Sequence, residues 1–356
     1  MASLHEYATY REIKSQTEAW AQAIEVAGAV ALPKTDEVEQ VLFTGCGSTY
    51  YLSLAAAALY QELTGCAARA VPAGELLLNS RASVGRIGNP PGRDNTSYSK
   101  SIPPHELLIA ISRSGSTSET VKAVEYFKAE GRGEVMVISN YDEVLARLAD
   151  VKVLIPKGQE ESVAQTRSFA SMYVAVSAFC ARMAGRADLL AAMQKLPEAG
   201  NLLIDKYESF AKEIGSNLDL DRFYFLGSGI RYGLACEANL KMKEMTLTHS
   251  EPFHFLEFRH GPMSMVNEKA VVVGMLSDAN RAHEAQVLSE MKTLGGTVAA
   301  IGESEADVEF NSGIPESMRG VLYLPAMQLM AFYRSVAKGL NPDHPKNLTA
   351  VVRLNL

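Results

Sequence analysis

Glu237, Lys241 and Glu244 are spaced i, i+4 and i+7, so a helix through them would place all three side chains on one face. A carboxylate beside an ammonium group suits proton transfer next to a carbonyl. The carboxylate takes the proton, and the cation steadies the negative charge that builds on the oxygen. Glu244 is the expected base and Lys241 its electrostatic partner; the spacing alone equally allows an exposed helical ion pair. Downstream, Arg259-His260-Gly261-Pro262 puts a histidine in a turn. A group titrating near neutral pH can shuttle a proton between ring oxygens, and a structural loop histidine is the alternative. His249, His254 and His260 do not have HExxH spacing, so no metal site is expected.

A second kind of chemistry lies in the first half. Ser112-Arg113-Ser114-Gly115-Ser116-Thr117 and Gly45-Cys46-Gly47-Ser48-Thr49 each follow an apolar run and precede a helical pattern. A helix N-terminus exposes unpaired N–H groups and partial positive charge, and small hydroxyl residues add donors without bulk. Ser112, Ser114, Ser116 and Thr117 are the expected phosphate cradle, faced by Ser48 and Thr49; the same residues also suit helix caps. Neither GxxxxGK[ST] nor GxGxxG occurs, so no nucleotide and no other cofactor is expected. The corresponding loop of the second half, Ser277-Asp278-Ala279-Asn280, lacks the Ser/Gly pattern and carries an acid. The anion site therefore belongs to the first half.

These residues need strands and helices to hold them. Apolar, β-rich runs at 38–43, 107–111, 135–138 and 151–155 alternate with helical patterns at 6–26, 50–63, 118–130 and up to 183. The second half repeats the order, with strands expected at 223–226, 270–276, 298–301 and 321–324, and helices at 233–246, 283–294 and 327–339. Continuous apolar strands between helices imply parallel sheets covered on both faces. The expected fold is α/β: two three-layer α-β-α sandwiches with mainly parallel five-stranded sheets. The expected organisation is an N-terminal helix (1–35), a phosphate-binding unit (36–185), a helical linker (186–215), a second unit (216–340) and a tail (341–356). An extra loop at 85–104, rich in Gly, Pro, Asn and Ser, distinguishes the first unit. The tail, Asn341-Pro342-Asp343-His344-Pro345-Lys346-Asn347-Leu348-Thr349, is expected to fold back as a lid.

Composition limits the partners. With 356 residues, 47% of them hydrophobic, the chain can bury two cores. Its 34 Lys+Arg against 41 Asp+Glu give a net charge of −7, which disfavours nucleic acid. Four scattered cysteines form no CxxC pair or disulfide framework. The absence of an apolar leader or spanning stretch points to a cytoplasmic protein that does not engage a membrane.

In combination, the Gly-Cys-Gly-Ser-Thr turn, residues 112–117, Leu240-Lys241-Met242-Lys243-Glu244, Arg259-His260-Gly261-Pro262 and the tail resemble the sugar isomerase (SIS) family. Within it, they resemble the double-SIS isomerase half of glucosamine-6-phosphate synthase and its stand-alone relatives. The resemblance implies phosphate binding by Ser48, Ser112, Ser114 and Thr117, with Val163 and Gln165 beside the sugar. It also implies Glu244 as the base for C1–C2 proton transfer, Lys241 as its partner, and His260 in ring opening. The histidine would come from the other subunit of a homodimer.

Two departures shape the expectation. The first cysteine is Cys46, inside a turn, so the nucleophilic cysteine that opens a glutaminase domain has no match. At the position of the synthase's Schiff-base lysine stands Ala350, which cannot form an imine; Lys346 is the nearby candidate substitute. The expected function is a phosphosugar aldose–ketose isomerase or deaminase on an amino-sugar phosphate, releasing ammonia. Alternatives are a fructosamine-phosphate deglycase, an isomerase subunit that depends on a separate glutaminase, and a non-catalytic phosphosugar-binding module.

Overall fold

The computed structural model describes residues 4–33, 38–79 and 105–354. The chain opens with α1 (Ala8–Ala29), then β1 (Gln40–Gly45), α2 (Ser48–Thr64), β2 (Ala68–Pro72) and α3 (Ala73–Leu78). β3 (Glu106–Ser112), α4 (Ser118–Ala129), β4 (Gly133–Ser139), α5 (Val144–Leu148) and β5 (Val151–Leu154) complete the first sheet. Helices α6 (Arg167–Met183), α7 (Ala187–Ala192), α8 (Leu196–Lys206) and α9 (Glu208–Ser216) lead to β6 (Arg222–Leu226). The second unit continues with α10 (Ile230–Thr246), β7 (His249–Phe253), β8 (Ala270–Met275), α11 (Arg281–Thr293), β9 (Thr297–Gly302), β10 (Val308–Glu309) and α12 (Leu324–Ala337). The expected loop at 85–104 lies outside the described residues.

Two five-stranded, all-parallel sheets result, ordered β2-β1-β3-β4-β5 and β10-β9-β8-β6-β7. Written from opposite edges, these are one topology used twice. The central strands are apolar on both faces because both are covered. On β3, Leu107, Ile109 and Ile111 join a core between the sheets, while Leu108 and Ala110 join an outer core under α4. β8 divides the same way: Val271, Val273 and Met275 face the central core, and Ala270 and Val272 an outer one. Each such Val, Leu, Ile or Met side chain, fully buried, contributes roughly 1.5–3 kcal/mol.

One strand expected in the second unit does not form. Residues 321–324, expected as a strand, form a 3-10 turn (Gly320–Tyr323) that runs into α12. A short buried apolar run fits either structure, and Pro325 in the first turn of α12 favours the helix. The fifth strand of that sheet is instead the two-residue β10.

Helices α2 and α10, one from each unit, pack directly against each other at the centre. Gly233 allows this: a Cβ there would lie 2.5 Å from the Tyr51 carbonyl oxygen and 2.6 Å from the Ala55 nitrogen. The close approach brings the middle of α10 to the first residue of α2. Both helices start after a glycine in the left-handed half of backbone space, Gly47 (φ 57°) and Gly229 (φ 58°), a conformation that favours glycine.

Candidate active site

Helix α10 carries Glu237, Lys241 and Glu244 on one face, as their spacing predicts. Lys241 is at the centre, its side chain 2% exposed. Its Nζ lies 3.2 Å from Glu237 Oε1, donates a close hydrogen bond to Glu244 Oε1, and donates to Ser48 Oγ at 3.1 Å. Ser48, Lys241 and Glu244 thus form one connected group across the two units. Glu244 keeps 14% of its side chain exposed, so the carboxylate is supported from inside and open on one side. This is not the exposed surface ion pair that the spacing also allowed.

Glu237 is the member of this group whose role the sequence did not reveal. Burial, with Glu244's negative charge adding to it, pushes its pKa up to about 8, although Lys241 works in the opposite direction. Its oxygens make no well-formed hydrogen bond. Burial also works against the charge on Lys241, but the carboxylates of Glu237 and Glu244 outweigh it and hold the ammonium pKa above its ordinary value. Protonation of Glu237 would direct the Lys241 charge towards Glu244.

The anion loop is locally pre-organised. Ser112 Oγ accepts from Gly115 N–H at 3.2 Å, and Gly115 has a φ of 64°. Ser114 Oγ accepts from Ser116 N–H at 3.2 Å and lies 3.5 Å from Thr117 Oγ1. Ser112 is buried; Ser114, Ser116 and Thr117 are half-buried at the entrance to α4. Thr49 differs from its neighbour Ser48. Its hydroxyl bonds Cys46 N–H (2.9 Å) and Cys46 carbonyl (3.0 Å), so it holds the turn while Ser48 faces Lys241.

Val163 and Gln165 lie in a loop held by buried acids. Glu12 of α1 accepts the N–H groups of Glu161 (2.6 Å) and Ser162 (3.2 Å), and the Ser162 hydroxyl. Burial and then the nearby Glu160 charge raise the pKa of Glu12. Glu160 accepts from Thr166 N–H (2.7 Å), Thr166 Oγ1 (2.9 Å) and Ser168 Oγ. Val163 N–H donates to the Asp343 carbonyl of the tail (2.9 Å), and Gln165 Oε1 is buried without a hydrogen-bond partner among the described residues.

The tail lies across both kinds of chemistry. Asn341, His344, Pro345 and Lys346 line a cleft of about 70 Å³ together with Glu244. Further on, Ala350 and Val351 border a cavity of about 280 Å³ with Ser114, Ser116, Tyr141 and residues 160–162. Lys346 is exposed. The His260 ring is exposed on a turn braced by Arg259, which makes two 2.7 Å bonds to Glu290. Among the described residues, nothing within the chain bonds that ring to Lys241 or Glu244.

A doubled parallel α/β fold, with a buried Lys–carboxylate group on one unit hydrogen-bonded to Ser48 of the other, defines a class. The SIS domain family matches this chain twice, at residues 95–182 and 219–308, together half of its length. The protein belongs to the SIS domain family. A glutamine–fructose-6-phosphate aminotransferase (isomerizing) from Methanothermobacter thermautotrophicus is 28% identical, with 92% of this chain and 53% of that protein covered. The chain spans about half the length of that relative. Among solved structures, a glucosamine-6-phosphate deaminase from Thermotoga maritima has a TM-score of 0.78 at 24% identity, covering 98% of this chain and 100% of that one. The C-terminal domain of a Francisella tularensis glucosamine–fructose-6-phosphate aminotransferase has a TM-score of 0.79 at 20% identity, covering 96% and 100%. These two likenesses carry the fold. Among the described residues, no helix is long and apolar enough to cross a membrane.

Proposed function

We propose that this protein is a phosphosugar aldose–ketose isomerase that works as a deaminase on an amino-sugar phosphate. Glucosamine 6-phosphate and water would become fructose 6-phosphate and ammonia. The observation that carries this reading is the Lys241 ammonium, which bonds both Glu244 and the Ser48 hydroxyl across the two units. Ser48, Ser112, Ser114 and Thr117 would hold the phosphate, with Val163 and Gln165 beside the sugar chain.

In the open-chain aldose, Glu244 takes the proton from C2, and the electron pair moves onto the C1 oxygen. Lys241 stabilises that charge. The C1 oxygen takes a proton from the substrate's own ammonium group, and Glu244 returns the C2 proton to C1, which leaves an iminium at C2 and a hydroxyl at C1. Water adds to C2, and the C–N bond breaks to release ammonia and the ketose. His260, supplied by a second copy in a homodimer, would move the proton between ring oxygens during opening. Its exposure on a braced turn supports that role.

The test is to incubate the protein with glucosamine 6-phosphate and measure ammonia and fructose 6-phosphate, which should appear in equal amounts. Glu244→Gln should lower kcat by about 10²–10⁴-fold. An unchanged rate would remove Glu244 from the role of base. A deglycase on fructosamine phosphates is the reaction to set against it, because it uses the same proton transfer and releases a larger amine. A substrate panel scored by the amine released separates the two.

A further inference from the structure

Three backbone carbonyls from two distant segments meet at one side chain in the anion loop. Arg113 stands between Ser112 and Ser114, and its side chain is 8% exposed. Nη1 donates to the carbonyls of Ser162 (3.2 Å) and Val163 (2.8 Å), and Nη2 to the carbonyl of Ala350 (2.7 Å). The usual reason to bury an arginine is to neutralise an acid. Here the nearest, Glu160, is 3.8 Å away and already accepts hydrogen bonds from Thr166 and Ser168. The guanidinium donors go to backbone instead.

The tail has a second anchor seven residues earlier. The Asp343 carboxylate caps α1, accepting from Ala8 N–H (2.9 Å), Thr9 N–H (2.8 Å) and Thr9 Oγ1 (2.7 Å). Between the anchors, His344, Pro345 and Lys346 pass beside Glu244. Beyond Ala350, the tail reaches the start of α4, where Leu354 N–H donates to Ser118 Oγ at 3.0 Å. A rigid fork with several fixed donors can hold three carbonyls in one geometry, which a lysine cannot.

We propose that Arg113 is a positioning residue that couples occupancy of the 112–117 loop to the seating of the tail over Glu244. An anion bound by the serines fixes the backbone on either side of Arg113. The guanidinium then holds the Val163 loop and Ala350 in register with it. The proposal deepens the site reading above: it rests on phosphate binding by this loop, but not on ammonia being the product.

Hydrogen exchange on the full chain, with and without fructose 6-phosphate, tests it in the wild type, Arg113→Gln and Arg113→Lys. In the wild type the ligand should slow exchange across residues 343–354. In Arg113→Gln that segment should exchange at least about tenfold faster, with the ligand effect lost. The fructose 6-phosphate Kd should meanwhile stay within about threefold of the wild type, because the hydroxyl donors remain. Arg113→Lys should fall between the two, and where turnover is measurable kcat should drop with KM nearly held. Tail exchange in Arg113→Gln equal to wild type would overturn the proposal. So would a loss of fructose 6-phosphate affinity parallel to the tail effect, since Arg113 would then be a ligand of the phosphate itself. Should Arg113→Gln fail to fold, Arg113→Lys carries the same comparison. A missing deaminase activity with the exchange pattern intact would reject the proposed reaction and leave the coupling standing.

Discussion

Replacing Glu237 with glutamine isolates the electrostatic condition on which the Lys241–Glu244 pair depends. The native carboxyl is fully buried, and its pKa is raised from 4.5 to about 8, first by burial and then by Glu244. An acid whose pKa is higher in the folded state stabilises the fold below its unfolded pKa and loses that contribution as pH rises through the folded one. Stability should therefore decline between about pH 4.5 and pH 8 through this group. Glutamine has nearly the same shape, keeps the neutral form at every pH and removes the slope. Taking 1.36 kcal/mol per pKa unit, the stability of Glu237→Gln relative to wild type should rise by roughly 2–4 kcal/mol between pH 5 and pH 8. Urea unfolding of both proteins at matched pH values measures the difference, and titrating groups that do not touch Glu237 cancel in the subtraction. A difference that stays flat would mean that Glu237 is ionised in the fold. Lys241 would then be shared between two charged carboxylates, and the account of its charge being directed at Glu244 would fail.

Other outcomes follow from single contacts. Gly233→Val places a side chain against the Tyr51 carbonyl and the Ala55 backbone. It should cost about 1–3 kcal/mol in unfolding experiments and separate Lys241 from Ser48, so the activity proposed above should fall further than stability alone explains. Asp343→Ala removes three hydrogen bonds from the α1 terminus, one of them from the Thr9 hydroxyl. Proteolysis of the tail should accelerate, and stability should drop by about 0.5–2 kcal/mol, as for loss of a helix cap; an unchanged cleavage rate would mean that the tail is held elsewhere.

The sequence revealed elements where one physical cause dominates. β3 and β8 are apolar on both faces because both faces are covered, and a continuous run is a strong signal. The edge strands β2 and β7 gave none: Ala68–Pro72 and His249–Phe253 are short, contain proline or charged residues, and sit at the sheet margins where proline is tolerated. Lys241 and Glu244 were legible from helical spacing, because their partnership is local. Arg113, Asp343, Glu12 and Glu160 were not, because each acts on backbone that folding brings close. Asp343 and Ala8, for instance, are 335 positions apart. The raised pKa of Glu237 belongs to the same group, since it depends on burial, which spacing does not report. The one available hint was polar residues on a buried face: Glu12 and Gln16 share α1 with Ile13 and Trp20, and all four are buried.

The repeated loop differs between the two units in what surrounds it. In both units a serine at the end of the third strand accepts from an N–H three residues on: Ser112 from Gly115, Ser277 from Asn280. In the second unit, the protein's own carboxylates fill the surroundings. Glu284 accepts from Ser277 N–H (2.6 Å) and Oγ (2.9 Å), and Glu316 accepts from Asp278 N–H (2.9 Å) and from Arg231 at the start of α10. An external phosphate would have to displace two anions already hydrogen-bonded there, and would meet the negative charge of Asp278 beside Arg319 as well. Among the described residues of the first unit no acid bonds the Ser112, Ser114 or Thr117 hydroxyls, and the position that α10 gives to Arg231 is held on α2 by the neutral Thr49. One copy of the loop is closed by internal ion pairs and stabilises the fold. The other copy has no carboxylate on those hydroxyls among the described residues, and Lys241 on the helix of the closed unit reaches the first unit at Ser48.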